Sequence, residues 1–282
     1  MGLKEVWVVS CLLATCLGQD VVNNKAFPPD FLFGTATASY QVEDGKGENI
    51  WDYLTHEHPE WVDGRGNGDI ACDSYHKYKE DVAILKDLGV NHYRFSLSWS
   101  RILPDGTINK INDAGVQYYK NLLKELLDND IIPVVTLYHW DLPQPLQEAG
   151  GWVDEFIVNK YVDYVRLAFQ LFGDDVKYWA TFNEPKQTCL QGYGYGSMAP
   201  AVQHPGVDNY LCAHNVLKAH AAAWHVYDDE FRATQNGKVT MVIDSNWFEP
   251  ETDSAADRAA AESKLQFIVS NTDNEKKKTY LF

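Results

Sequence analysis

Positive charge is scarce in this sequence. Lys and Arg total 24 against 40 Asp and Glu, a formal net charge of −16. That balance excludes nucleic acid and an anionic membrane surface as natural partners. Cysteine is scarcer still, with five in 282 residues. Cys11 and Cys16 fall in an N-terminal apolar stretch. Cys72, Cys189 and Cys212 remain, odd in number, widely spaced and without a CxxC. This excludes a disulfide framework and allows at most one bridge, with one thiol left free. No N-x-S/T sequon occurs, so N-glycosylation is not expected. The apolar run Val6–Leu17 is too short to span a bilayer. No internal repeat, low-complexity linker or domain boundary interrupts the chain before its tail.

What the chain does have is apolar and aromatic mass. Hydrophobic residues make up 45%, enough for a large core, and nine Trp, 16 Tyr and 12 Phe make it aromatic-rich. Such rings fill a core, or stack against a flat ligand such as a sugar. Residues 1–18 read as a secretory signal: Lys4, then Val6–Leu17, then Gly18 before a cut. Secretion to the extracellular space follows as an expectation. Residues 269–282 are polar, lysine-loaded and without periodicity, and are expected to be disordered.

Between these ends, strand-like runs alternate with amphipathic helices, the α/β signature. Strands are expected at Phe31–Gln41, Val90–Trp99, Ile131–Trp140, Val176–Pro185 and Lys238–Trp247. Helices are expected at Asp73–Leu88, Asp113–Asn129 (capped by Asn112), Asp154–Phe172, Asp208–Phe231 and Ser254–Phe267. Asp44–Gly68 and Gly192–Gly206 read as loops. Five strands with connections long enough for parallel crossovers form either an open doubly wound sheet or most of an eight-strand barrel. No GxGxxG or GxxxxGK follows any strand, which argues against a nucleotide fold.

The strand ends carry the chemistry. They offer Gln41, Arg94, His139 with Trp140 and Asp141, Asn183 with Glu184, and Asn246 with Trp247. In a parallel sheet all of these face one end. Gln, His and Asn bind hydroxyls, Trp stacks on a sugar face, and Glu moves a proton. Plainer roles exist for each. His139 suits a satisfied core histidine, Trp140 simple packing, Arg94 a buried ion pair and Glu184 a helix cap. No HExxH or paired-histidine spacing supports a metal on His139 and Glu184, and no metal or cofactor is expected. No GxSxG supports a serine hydrolase. Glycoside hydrolysis needs two carboxylates. Glu184 supplies one. Asp141 reads as structural and Glu249 as a loop residue, so a second is not evident.

Five stretches together are decisive: FPPDFLFGTATASYQVE (27–43), DGKGENIWD (44–52), ACDSYHKYKEDVAILKDLGVNHYRFSLSWSRILPDG (71–106), PVVTLYHWDLPQPLQEAGGW (133–152) and TFNEP (181–185). Through them residues 26–268 resemble glycoside hydrolase family 1, the β-glucosidase and myrosinase family, and most closely its secreted arthropod members. The resemblance implies a (β/α)8 barrel, here incomplete at about five of eight units over residues 19–268. It also implies retaining hydrolysis of a small-molecule β-glycoside. Glu184 matches the family's acid/base, and Arg94 the arginine that supports the nucleophile. Gln41, His139 and Asn183 match sugar-binding donors, and Trp140 an aromatic beside them. Two departures stand out. Glu43 abuts Asp44 where the family has a longer loop, which threatens the placement of Gln41. The family's nucleophile glutamate, in an ENG-type motif, has no counterpart here. The chain is therefore expected to be inactive as it stands, with two unpaired strand edges open to aggregation.

Overall fold

The structure is a computed structural model that describes residues 26–269. The signal and tail expectations lie outside these residues, apart from Val269 at the end of the last helix. The chain divides into two units, 1–32 and 33–282. In the first, Phe31 N–H closes a turn on Pro28 O at 3.0 Å and the rings of Phe27 and Phe31 sit 4.5 Å apart.

The second unit holds the sheet. In chain order it comprises β1 (Gly34–Ala36), α1 (Ser39–Val42), α2 (Ile50–Glu57), α3 (Ser74–Asp87), β2 (His92–Ser96), α4 (Trp99–Ile102) and α5 (Asp113–Asp128). Next come β3 (Ile132–Tyr138), α6 (Gln144–Glu148), α7 (Phe156–Phe172), β4 (Tyr178–Asn183), α8 (Pro185–Leu190) and α9 (Asp208–Val226). The unit closes with α10 (Arg232–Gln235), β5 (Lys238–Val242) and α11 (Ala255–Val269). All pairings are parallel, in the order β1-β2-β3-β4-β5. Sequential parallel strands joined by helices are the first five units of a (β/α)8 barrel, and the nucleotide-fold alternative drops out.

The interior strands β3 and β4 are almost wholly buried, which is why they read as continuous apolar runs. Pro133 sits second in β3, at the strand start where a missing N–H is tolerated. Among the described residues β1 and β5 have one neighbour each, and β1 is exposed at every position.

The core lies between sheet and helices and is aromatic. Trp99 stacks on Tyr164 at 4.7 Å and Tyr161 on Phe182 at 4.6 Å, while Trp152 meets Phe182 and Tyr138 edge-on, at 5.2 Å each. Two tyrosines of α7 also fasten the strands. Tyr164 donates its hydroxyl to Leu137 O at 2.9 Å and Tyr161 to Thr181 O at 2.5 Å. Each grips its strand two residues before a candidate site residue, His139 or Asn183.

Among the described residues one bridge forms, Cys189–Cys212, joining α8 to α9, and Cys72 is a free, exposed thiol. The bond closes a loop of 23 residues. Reduction is expected to cost about 3 kcal/mol through the freed unfolded chain. Urea midpoints with and without reductant check this, and equal midpoints contradict it.

Several expectations need correction. The first strand is confined to Gly34–Ala36 because Ser39 turns the chain. Its N–H donates to Ser96 Oγ at 2.7 Å and its hydroxyl to Asp141 at 2.7 Å. The second strand stops at Ser96, and Trp99 opens α4 as a buried core ring. The fifth stops at Val242, so Asn246 and Trp247 lie in exposed coil, Trp247 being 73% exposed. The supposed loop 44–68 contains α2, held by a capping box between Asn49 and Asp52. Asn112 does not cap α5 with its side chain; its amide donates to Arg101 O at 2.9 Å.

Candidate active site

Arg94 is the hub. It projects from β2, half-buried, and donates through Nε to Thr136 Oγ1 at 2.8 Å and through Nη2 to Asn183 Oδ1 at 2.6 Å. One guanidinium thus ties together β2, β3 and β4, using its fixed fork of donors. Burial lowers its proton affinity and the nearby Glu184 charge opposes that. As an arginine it stays a cation throughout the physiological range.

Asn183 ends β4 and is buried. Its side-chain oxygen is taken by Arg94, and its backbone oxygen accepts from Trp140 Nε1 at 2.9 Å. Trp140 follows β3 in the left-handed region, at φ 70°. Its ring meets His139 edge-on at 5.6 Å. It also lines a small cavity with Trp51, Tyr138, Gln187 and Tyr193.

His139 is not a satisfied core histidine. Among the described residues its Nδ1 is buried without a hydrogen-bond partner. Burial first, and the Arg94 charge second, push its pKa down to about 3, so the ring is neutral. A neutral imidazole offers one donor and one acceptor.

Glu184 follows β4 in the left-handed region, φ 46° and ψ 65°. The following Pro185 disfavours the right-handed helical region for it. Its N–H still pairs outward to Val242 O of β5, at 2.8 Å. It does not cap α8 with its side chain. Its carboxyl is raised above the ordinary range, by burial first and then by the Asp244 charge, while Arg94, Asn183 and Lys186 pull the other way. Two non-glycine residues in this conformation, at adjacent strand ends, mark backbone held by its surroundings.

The structure therefore gathers Arg94, His139, Trp140, Asn183 and Glu184 through shared contacts. Gln41 is different. It lies in α1, exposed, and makes no side-chain hydrogen bond among the described residues. The adjoining Glu43 is instead buried against Arg101 and Tyr119.

Thr136 and Asp244 escaped sequence reading, while Asp141 was read as structural. Thr136 looked like one more β-branched strand residue. Asp141, set aside as structural, is fully buried and accepts from Ser39 Oγ at 2.7 Å and from His139 N–H at 3.3 Å. Asp244 was hidden by reading the fifth strand as too long. A separate surface group, Asp44, Asp73 and His76, brings its ligand atoms within 4.8 Å of one another; neither His139 nor Glu184 belongs to it.

Comparison with known proteins gives this geometry its context. The chain is 51% identical over 247 residues to Myrosinase 1 of Brevicoryne brassicae, covering 86% of this chain and 53% of that protein. It is 51% identical over 249 residues to lactase/phlorizin hydrolase of Homo sapiens, covering 86% of this chain and 13% of that one. Its fold superposes on the solved structure of an aphid myrosinase with a TM-score of 0.81 at 51% identity, over 86% of this chain and 54% of the other. The chain thus spans about half, or less, of the length of these relatives. Residues 23–274 match Glycosyl hydrolase family 1, and the chain belongs to that family.

Proposed function

We propose that these residues hold the acid/base half of a retaining β-glycosidase site of the β-glucosidase kind. Glu184 would donate its proton to the departing glycosidic oxygen and later take one from water, as the first of the two carboxylates such chemistry requires. Its raised proton affinity suits the donor role. His139 and Asn183 would hold sugar hydroxyls, with Gln41 joining them once a ligand orders its exposed side chain. Trp140 would wall the ring, and Arg94 would steady the charge of a second carboxylate opposite Glu184. The observation that carries this reading is the orphaned, buried Nδ1 of His139 beside the Arg94–Asn183 pair. A buried polar atom without a partner is costly unless a ligand satisfies it.

These 282 residues contain no ENG-type nucleophile motif, so on their own they would bind a β-glycoside without turning it over, and non-catalytic carbohydrate binding is the alternative reading for them. The Cys189–Cys212 bridge supports an oxidising, extracellular setting, in keeping with the signal-like N-terminus. The 51% identity to a myrosinase favours a thioglucoside as the alternative substrate.

Calorimetry of the chain with aryl β-glucoside and with the thioglucoside analogue tests the proposal, alongside phenol release. Saturable heat without phenol is expected, with the heat lost in Asn183→Ala. Absence of heat with either ligand overturns the site, and phenol release overturns the inactivity.

A further inference from the structure

On one side, Glu184 lies in the field of the Arg94 charge and adjoins Asn183. The other side is β5. The Glu184 N–H reaches Val242 O, the last residue of that strand, and Asp244 follows two residues later. Asp244 turns back across the pair. Its Oδ2 accepts from Gln187 Nε2 at 2.9 Å and faces Lys186 Nζ at 3.3 Å. Both partners sit in the first turn of α8, immediately after Glu184–Pro185. The backbone of that turn closes on Glu184 itself: Gln187 N–H and Thr188 N–H donate to Glu184 O at 2.9 and 3.2 Å. The second oxygen of Asp244, Oδ1, is buried with no hydrogen-bond partner.

We infer that Asp244 is a positioning residue for Glu184: it clamps, from the end of β5, the turn that carries Glu184, and sets a second carboxyl beside it. The clamp explains how Glu184 keeps its left-handed backbone, since Gln187 and Lys186 cannot swing away while Asp244 holds them. The charge has a separate effect. The groups facing the Glu184 carboxyl are Arg94 from β2, Lys186 from α8, Asp244 from beyond β5 and the adjoining Asn183 amide. Asp244 is the one anion in that set. Burial is the first cause of the raised Glu184 proton affinity, and the Asp244 charge adds to it against the two cations. Like charges on neighbouring carboxyls raise the affinity of one of them for its proton. This deepens the proposed reading of Glu184 as proton donor and rests on it for its functional meaning.

The test is a nuclear magnetic resonance titration of the 282-residue chain carrying isotope-labelled glutamate, with Glu184→Gln identifying the resonance. Asp244→Asn removes the charge and keeps an acceptor oxygen for Gln187. In that variant the Glu184 midpoint is expected to move down, with the Gln187 side-chain signals left in place. Asp244→Ala also loses the clamp, so its midpoint falls and the amides of Gln187 and Thr188 exchange faster with solvent. Should Asp244→Asn fail to fold, Asp244→Ser gives the same charge reading. An unchanged or raised midpoint in the charge-removing variants overturns the inference. The titration is read without any glycoside. A chain that binds no glucoside while its midpoint still falls supports the inference and counts only against the proposed function.

Discussion

Replacing Arg101 by methionine is expected to lower the unfolding free energy by about 3–5 kcal/mol, because it strands a charge in the core. Arg101 Nε donates to Glu43 Oε2 at 2.9 Å, and the two side chains are only 4% and 3% exposed. The guanidinium also donates to Asp44 O and lies over the Tyr75 ring at 4.3 Å. Glu43 takes a further hydrogen bond from Tyr119, 3.0 Å from each carboxylate oxygen, while Ser98 N–H donates to Tyr119 Oη at 2.7 Å. Burial pushes the Glu43 carboxyl up, and Arg101 followed by Tyr119 restrains it. With Arg101 gone, the largest restraint goes, the Tyr119 hydrogen bond remains and the burial penalty stays. The net worth of an intact buried pair is small, so removing both charges costs less than removing one. Urea midpoints for Arg101→Met, Glu43→Gln and the double variant at neutral pH test this. A cost below about 1 kcal/mol for Arg101→Met contradicts the uncompensated-charge argument. The cluster matters to the site because it joins α1, which carries Gln41, to α4 and α5, just past the end of β2.

Asp141→Asn is expected to change how stability depends on pH, by on the order of 4 kcal/mol between about pH 4 and pH 7. Asp141 is fully buried, and burial pushes its pKa up to about 7 despite bonds from Ser39 and the His139 N–H. Its folded pKa stands above its unfolded one. The stability it contributes is therefore full below about pH 4 and is lost as pH rises through about 7, near 1.4 kcal/mol per unit. His139 runs the opposite way. Its folded pKa, about 3, is depressed, so its contribution is full above about pH 6.5 and is lost as pH falls towards 3. In the native chain the two slopes oppose each other across the mildly acidic range. In Asp141→Asn only the histidine slope remains. Unfolding free energies measured over this range should fall more steeply towards acid in the variant than in the native chain, because the other shifted groups are common to both. Parallel profiles contradict the coupling.

What the sequence made visible was the interior of the sheet. Ile132–Tyr138 and Tyr178–Asn183 each run into a polar residue, His139 or Glu184, and are buried along almost their whole length, so local pattern and final structure agree. TFNEP placed Glu184 at a strand end for the same reason. The edges misled. The runs around β1 and β5 stay aromatic and β-branched beyond the point where pairing stops, and what stops β1 is non-local: Ser39 bonds to Ser96 and Asp141, 57 and 102 residues away. No periodicity reports such contacts. Helix α2 did have a local signal, the Asn49–Asp52 capping box within ENIWD, and it went unread amid glycines. Gln41 was read at an expected strand end and then matched by resemblance, and its exposed place in α1 shows how a motif match fixes a residue's address without fixing its side chain. Asp244 shows the converse: a residue matched to no role, placed beside Glu184 by a strand that ends earlier than its pattern suggests.

The central claim is that Arg94 assembles one ligand-ready cluster from β2, β3 and β4. Chemical-shift mapping during titration with an aryl β-glucoside tests it most directly. The His139 ring, the Trp140 indole N–H and the Asn183 side-chain amide should shift together along a single binding curve, and Arg94→Met should abolish all three responses. Shifts confined to surface rings such as Trp224 or Trp247, or separate curves for the three groups, would contradict it.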